Sequence, residues 1–187
     1  MEIKLLQEQD ATRIRTAFME KYLLKWPQYL KTYPDAKNRI FKNPSDFDHA
    51  LMWDRMPSEY PRIPFRDALA LLSKLPCKVL FFSEGPDYPF SFSCQIQLEG
   101  HRFPHFVGAA DARELAILIE YEWTESTRLA TQACYLANQV LPVDLYVCTP
   151  ELDKLIVFTH EADWDPENDD FIKESETRLC FASGFDQ

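Results

Sequence analysis

The chain has 187 residues, 20 Lys plus Arg against 30 Asp plus Glu, a formal net charge of −10, and 46% hydrophobic and 14% aromatic residues. That content excludes a disordered chain, and a chain of this length buries roughly 70% of its unfolded surface, enough for one sizeable core or two small lobes. The longest uncharged apolar runs, VLFF at 79–82 and LAILI at 115–119, fall far short of the roughly 18 residues of a membrane span, and the acidic N-terminal sequence lacks a secretory pattern, so a cytoplasmic protein is expected.

In chain order, Asp10 is placed to cap a helix through IRTAFMEKYLLKW, with Ile14, Ala17, Phe18 and Leu24 on its apolar side and Pro27 breaking or restarting it. Asn43-Pro44 opens a second helix, the Asn as cap and the Pro in the first turn, with Phe47, Ala50, Leu51 and Met52 along one side before Pro57. Pro57, Pro61 and Pro64 then make a stiff connection, a loop inside one domain or a linker. Residues 65–75 form a short apolar helix stopped by Pro76, and KVLFFS at 78–83 is a buried strand.

A turn at 84–88 leads to FSFSCQIQLE, where Phe92, Cys94, Ile96 and Leu98 alternate with polar residues as in a half-buried strand. Asp111 and Glu114 make a capping box, and with no proline before Pro142 one helix of about 28 residues, about 42 Å long, should follow. After it, DLYVCT and LIVFTH form a hairpin around 150–154, and Arg178 to Ala182 supplies a last edge strand. The pattern predicts an α+β fold: N-terminal helices and one long helix packed on an antiparallel sheet of 78–83, 91–99, 143–149 and 155–160 with a C-terminal hairpin. A single domain over 1–187 is expected, a basic helical portion at 1–56 joined to an acidic α+β portion at 64–187.

Charge is uneven along the chain. Residues 1–78 carry 14 basic and 10 acidic side chains, a net of +4, and residues 79–187 carry 6 and 20, a net of −14. The densest acidic run is Glu161, Asp163, Asp165, Glu167, Asp169, Asp170, Glu174 and Glu176 against the single Lys173. Such asymmetry bears on partners and long-range fields more than on fold. Cys77, Cys94, Cys134, Cys148 and Cys180 form no C-x-x-C pair, so reduced, mostly buried thiols are expected.

Only four glycines are present, so neither a dinucleotide fingerprint nor a P-loop can be written. No G-x-S-x-G or HExxH occurs either. The candidate catalytic residues are Glu122 and Ser126, which fall in the middle of the long helix's apolar stripe, and His160 at the end of a strand. Desolvation would raise the pKa of a carboxylate there, as a general acid or base requires. Against this, a Glu on such a stripe can equally meet an Arg or a backbone donor, and a strand-end His is commonly structural.

His101 and His105 are weak metal candidates because Gly100 and Pro104 place them in a loop. Asp163, Asp165, Glu167, Asp169 and Glu174 match positions 1, 3, 5, 7 and 12 of a calcium loop, but Asn168 replaces its glycine and Pro166 interrupts it. No metal and no cofactor is expected. The N-terminal lysines interleaved with Tyr22, Trp26, Tyr29, Tyr33 and Phe41 could grip phosphates and stack bases; the alternative is a helix pair with aromatics in the core and Lys stems over them. The net charge of −10 disfavours nucleic acid.

The stretch LPVDLYV at 141–147 followed by IVFTHE at 156–161, and preceded by EYEW at 120–123, resembles a pattern in uncharacterised small intracellular bacterial proteins. The resemblance implies an α+β fold with a C-terminal hairpin and carries over no catalytic assignment.

The leading expectation is a non-catalytic cytoplasmic binding protein, for example of immunity type, that uses an acidic surface to bind a basic protein partner such as a toxin or nuclease, with Trp123, Glu161, Asp163, Asp165, Glu167, Asp169 and Asp170 as its binding residues. Its rival is a hydrolase or metal-assisted enzyme with a Glu122/His160 acid–base site. A third reading is a homo-oligomer that sets the +4 half of one copy against the −14 half of another. No membrane partner is expected.

Overall fold

Along β3 (Lys78–Ser83), Val79 and Phe81 join one buried cluster while Leu80 and Phe82 join another. A strand apolar on both faces must be covered on both. The same division holds in β5 (Leu145–Cys148), with Leu145 and Val147 on the first side and Tyr146 and Cys148 on the second, and in β6 (Leu155–Ala162), where Ile156 and Phe158 oppose Leu155 and Val157. A computed structural model describes residues 4–50, 52–83, 107–120, 144–162, 164–165, 170–171 and 178–185. Across these residues the chain has an α+β fold in which a sheet lies between two helical layers.

With β1 (Lys4–Leu5), β2 (Arg62–Ile63), β4 (Gly108–Asp111) and β9 (Arg178–Ser183), the sheet has seven described strands in the order β1-β4-β3-β5-β6-β9-β2, every neighbouring pair antiparallel. Its edges are β1 (Lys4–Leu5) and β2 (Arg62–Ile63), two residues each. The β5–β6 hairpin forms as the sequence predicts. Leu152 N donates to Thr149 O at 2.9 Å, and Thr149 Oγ1 accepts from Asp153 N and Lys154 N at 3.2 and 3.1 Å, closing the turn over 150–154. Gly184, with φ +83°, passes this turn so closely that a Cβ would sit 1.9 Å from the Asp153 carbonyl oxygen, a place for glycine alone.

One sheet face is covered by α4 (Phe65–Ser73) and by the helical residues 112–120, here α5. Asp111 caps α5 as the capping-box pattern predicts, its Oδ1 accepting from Arg113 N at 3.0 Å and Glu114 N at 3.1 Å. The remainder of the predicted long helix, and the strand predicted at 91–99, lie outside the described residues. The other face is covered by α1 (Glu8–Tyr22) and by the segment around the short 3-10 turn Trp53–Arg55. Phe18, fully buried, meets Phe82 edge-on with ring centroids 4.8 Å apart and Tyr146 at 5.6 Å.

Three sequence expectations are corrected, and one strand, β4, has no expectation set against it. Asp10 is not the cap of α1; Gln7 is, and Asp10 pairs inside the first turn with Arg13 at 2.8 Å. The helix opened by Asn43-Pro44 is only α3 (Pro44–Asp48), although Asn43 does cap it, accepting from Asp46 N at 2.9 Å. The residues 178–182 belong to β9 (Arg178–Ser183), which lies inside the sheet because β2, within the proline-rich connection, adds outside it. Residues 108–110 form β4 (Gly108–Asp111), a strand of small residues; a Cβ on Gly108 would come within 2.3 Å of the Phe81 ring on the paired strand. Pro27, as expected, restarts the chain as α2 (Trp26–Thr32).

Candidate functional site

Glu122, Trp123 and Ser126 lie outside the described residues, as do His101, His105, Asp163, Glu167 and Asp169. His160 and Glu161 belong to β6, in the stretch where its register against β9 shifts: Phe158 pairs with Cys180 and Ala162 with Arg178, so residues 159–161 face Leu179 alone. Irregularities of this kind re-aim side chains and recur beside functional sites. Beyond it the acidic run forms a second, two-stranded ladder of β7 (Trp164–Asp165) and β8 (Asp170–Phe171), with Trp164 opposite Phe171 and Asp165 opposite Asp170. Positions 3 and 8 of the calcium-loop pattern are thus ladder partners, which an EF-hand loop wrapped around an ion does not provide.

The face under α1 holds a polar node that the sequence reading missed. Asp144, 1% exposed, accepts from Trp53 Nε1 at 3.2 Å, and the Tyr146 hydroxyl accepts from Trp53 N at 3.1 Å. A buried carboxylate persists only with such donors. Its one sequence signal is an Asp inside the apolar run LPVDLYV. Nearby, Leu152, at φ 57°, offers its carbonyl to both Lys21 Nζ and the Tyr22 hydroxyl, which ties α1 to the hairpin turn. Burial raises the Tyr22 pKa, with Cys148, Tyr60 and Asp153 adding to it. Burial also pushes the Cys148 thiol up to about 12, only partly offset by Lys21. At neutral pH Cys148 is therefore a protonated, unreactive core residue.

The N-terminal positive charge is confined to one lobe. Residues 25–42 hold Lys25, Lys31, Lys37, Arg39 and Lys42 against Asp35, a net of +4, while 1–24 (four against four) and 43–78 (five against five) are each balanced. The rest of the chain therefore carries −10 − (+4) = −14. The aromatic residues here pack on one another: Trp26, Tyr29, Tyr33, Phe41 and Phe47 have contacting ring centroids 5.0 to 5.6 Å apart, with Tyr29 and Phe47 buried and the other three half-buried. This mutual packing is what the helix-pair alternative expects of them. Arg55 joins the lobe to the body, its guanidinium 4.9 Å from the Phe47 ring and its carbonyl accepting from Leu24 N at 2.8 Å.

Compared with protein-family models, curated proteins and solved structures, the chain has no match.

Between α4 and α5 runs an open cleft of about 440 Å³ lined by Arg66, Leu69, Ala70, Ser73, Ala116, Ile117 and Glu120. Its serine is occupied locally, Ser73 Oγ donating to Ala70 O at 3.0 Å, and the lining has no imidazole to activate it. Among the described residues, no three His, Cys, Asp or Glu side chains gather to hold a metal ion, and no helix is long and apolar enough to cross a membrane. Charge is the most uneven property there: the segment 25–42 carries a net of +4, and Asp165 is paired with Asp170 in the ladder beyond β6.

Proposed function

We propose that this protein is a non-catalytic, cytoplasmic protein-binding module of immunity type, which presents the acidic run 161–176 to a basic partner such as a toxin or nuclease. The observation that carries the reading is the register of β7 and β8, where Asp165 is the partner of Asp170. Like charges directly opposite on neighbouring strands destabilise the ladder that holds them. A pair set against its own stability is accounted for by a cationic partner that neutralises both, and complementary charge speeds encounter and selects that partner. In this reading Glu161, Asp163, Glu167 and Asp169 of the same acidic run, and Trp123, also serve the partner.

Capture of a basic protein from the native host, followed by its identification, tests this directly. Retention should fall with rising salt and drop severalfold when Asp165→Asn and Asp170→Asn are combined. Retention indifferent to both would sink the proposal. The register shift at 159–161 favours a second reading, a hydrolytic site with His160 and Glu122 as acid and base and Ser126 beside them. Turnover of an ester or phosphoester substrate that is abolished by His160→Ala and untouched by Asp165→Asn would establish it instead.

A further inference from the structure

The basic lobe has a property that the acidic docking surface does not use. Ile40, 77% exposed, stands at the outside of the loop between α2 and α3, while its neighbour Phe41 packs into the aromatic cluster. A single exposed isoleucine is ordinary; Ile117, at 62%, is another. Ile40 differs from Ile117, which lies on α5, in standing within the +4 segment 25–42, on a loop that side-chain hydrogen bonds also fix. Arg39 donates from Nε to Tyr33 O at 2.6 Å and from its guanidinium to Pro34 O at 2.8 Å, and Lys42 Nζ donates to Ala36 O at 3.0 Å. Phe41 N donates to the Tyr29 hydroxyl at 3.1 Å, and Asp35 accepts from Lys37 N at 2.9 Å. An apolar side chain held in one place loses little further freedom when it is covered, which favours its use as an anchor.

The charge around that anchor indicates what covers it. The loop lies in the +4 segment 25–42, and the rest of the same chain carries −14. Every copy thus holds a cationic segment at 25–42 and an excess of acids in the rest of its sequence. We propose that this loop docks on a second copy of the chain, Ile40 seating on the acid-rich body of its neighbour while Lys31 and Lys37 meet carboxylates there. The contact joins unlike surfaces, so it is heterologous, and further copies can add in the same sense until a ring closes. It goes beyond the proposed binding of a basic partner and stands without it.

Sedimentation of the full chain over a range of concentrations tests the inference. The weight-average mass should climb above the 21.9 kDa of one chain as concentration rises. Ile40→Asp should weaken association about tenfold or more, the effect of failing to bury one large aliphatic side chain. Lys31→Glu combined with Lys37→Glu should weaken it similarly, whereas Ile40→Val should keep it. Lys31 and Lys37 are chosen because Arg39 and Lys42 hold the loop together. An unchanged urea midpoint for Ile40→Asp confirms that the fold is intact, since the residue is on the surface. A single-chain mass at every concentration, or association untouched by Ile40→Asp, overturns the proposal. Pelleting with phosphatidylserine vesicles that depends on Ile40, in a chain that sediments singly, also overturns it and assigns the loop to an anionic lipid surface.

Discussion

On the sheet face under α4 and α5, Val79, Phe81, Leu145, Val147, Ile156 and Phe158 meet Leu69, Leu72, Leu115 and Ile119. On the face under α1, Leu80, Phe82, Tyr146, Cys148, Leu155 and Val157 meet Phe18, Tyr22, Met52 and Met56, with Trp53 against them. Both faces are buried, and the second carries polar atoms with particular partners: the Tyr146 hydroxyl, the Asp144 carboxylate and the Trp53 indole. The first adheres by area and shape, a cohesion that tolerates exchange of one aliphatic residue for another. The second also specifies one seating of the N-terminal portion on the sheet, because any slip would leave those groups buried without bonds.

Substitutions can break that contrast. Phe18→Ala should cost about 3–5 kcal/mol, read as a fall in the urea midpoint, since the ring is fully buried among Tyr22, Phe82 and Tyr146. Gly108→Ala on the opposite face should cost about 1–3 kcal/mol, because the new methyl meets a fully buried Phe81 ring. Tyr146→Phe keeps the ring and removes the acceptor of Trp53 N, and should cost about 1–3 kcal/mol. Its counterpart under α4, Leu72→Met, should cost less than about 1.5 kcal/mol. Equal losses from these last two would erase the distinction between the faces.

The same face should govern the response to alkali. The Cys148 thiol, ordinarily titrating at 9.0, is pushed up to about 12 by burial, and burial raises Tyr22 above its ordinary 10.0. Both groups lose protons more readily in the unfolded chain, so their contribution is complete below about pH 9 and is lost as pH rises from there toward about 12. Thermal midpoints measured across that range should fall, and Cys148→Ala should flatten the decline. The smallest effect belongs to the separate two-stranded ladder, where Asp165→Asn should raise stability by a few tenths of a kcal/mol in urea unfolding.

Much of this architecture is legible in the residues. Asn43 and Asp111 cap as their side chains predict, and Pro27, α4, β3 and the β5–β6 hairpin fall close to where pattern and punctuation place them. The misses share a cause: tertiary context supplied what local sequence lacked. Gly108 and its alanine neighbours have little strand propensity of their own, and β4 exists because Phe81 needs an opposing strand without side-chain bulk. The strand β2 is two residues in a proline-rich stretch, defined by its partner β9 and not by alternation. At the candidate site the charge run was visible, but the pairing of Asp165 with Asp170 was not, since register is a relation between two segments. Ile40 likewise looked like one more apolar residue beside Phe41, and only packing separates the one that joins the aromatic cluster from the one that is displayed.

The two edges of the main sheet carry a consequence for how copies of this chain can meet. A sheet so apolar on both faces would be a hazard if it ended in a long bare strand, because unpaired amides and carbonyls recruit further strands from other molecules. Here the outermost strands are β1 and β2, two residues apiece, and between them every described strand of the main sheet is paired on both sides. Such stubs give an incoming chain little ladder to extend. Growth of this sheet by templated strand addition, the route to amyloid, finds little ladder to start from at β1 or β2.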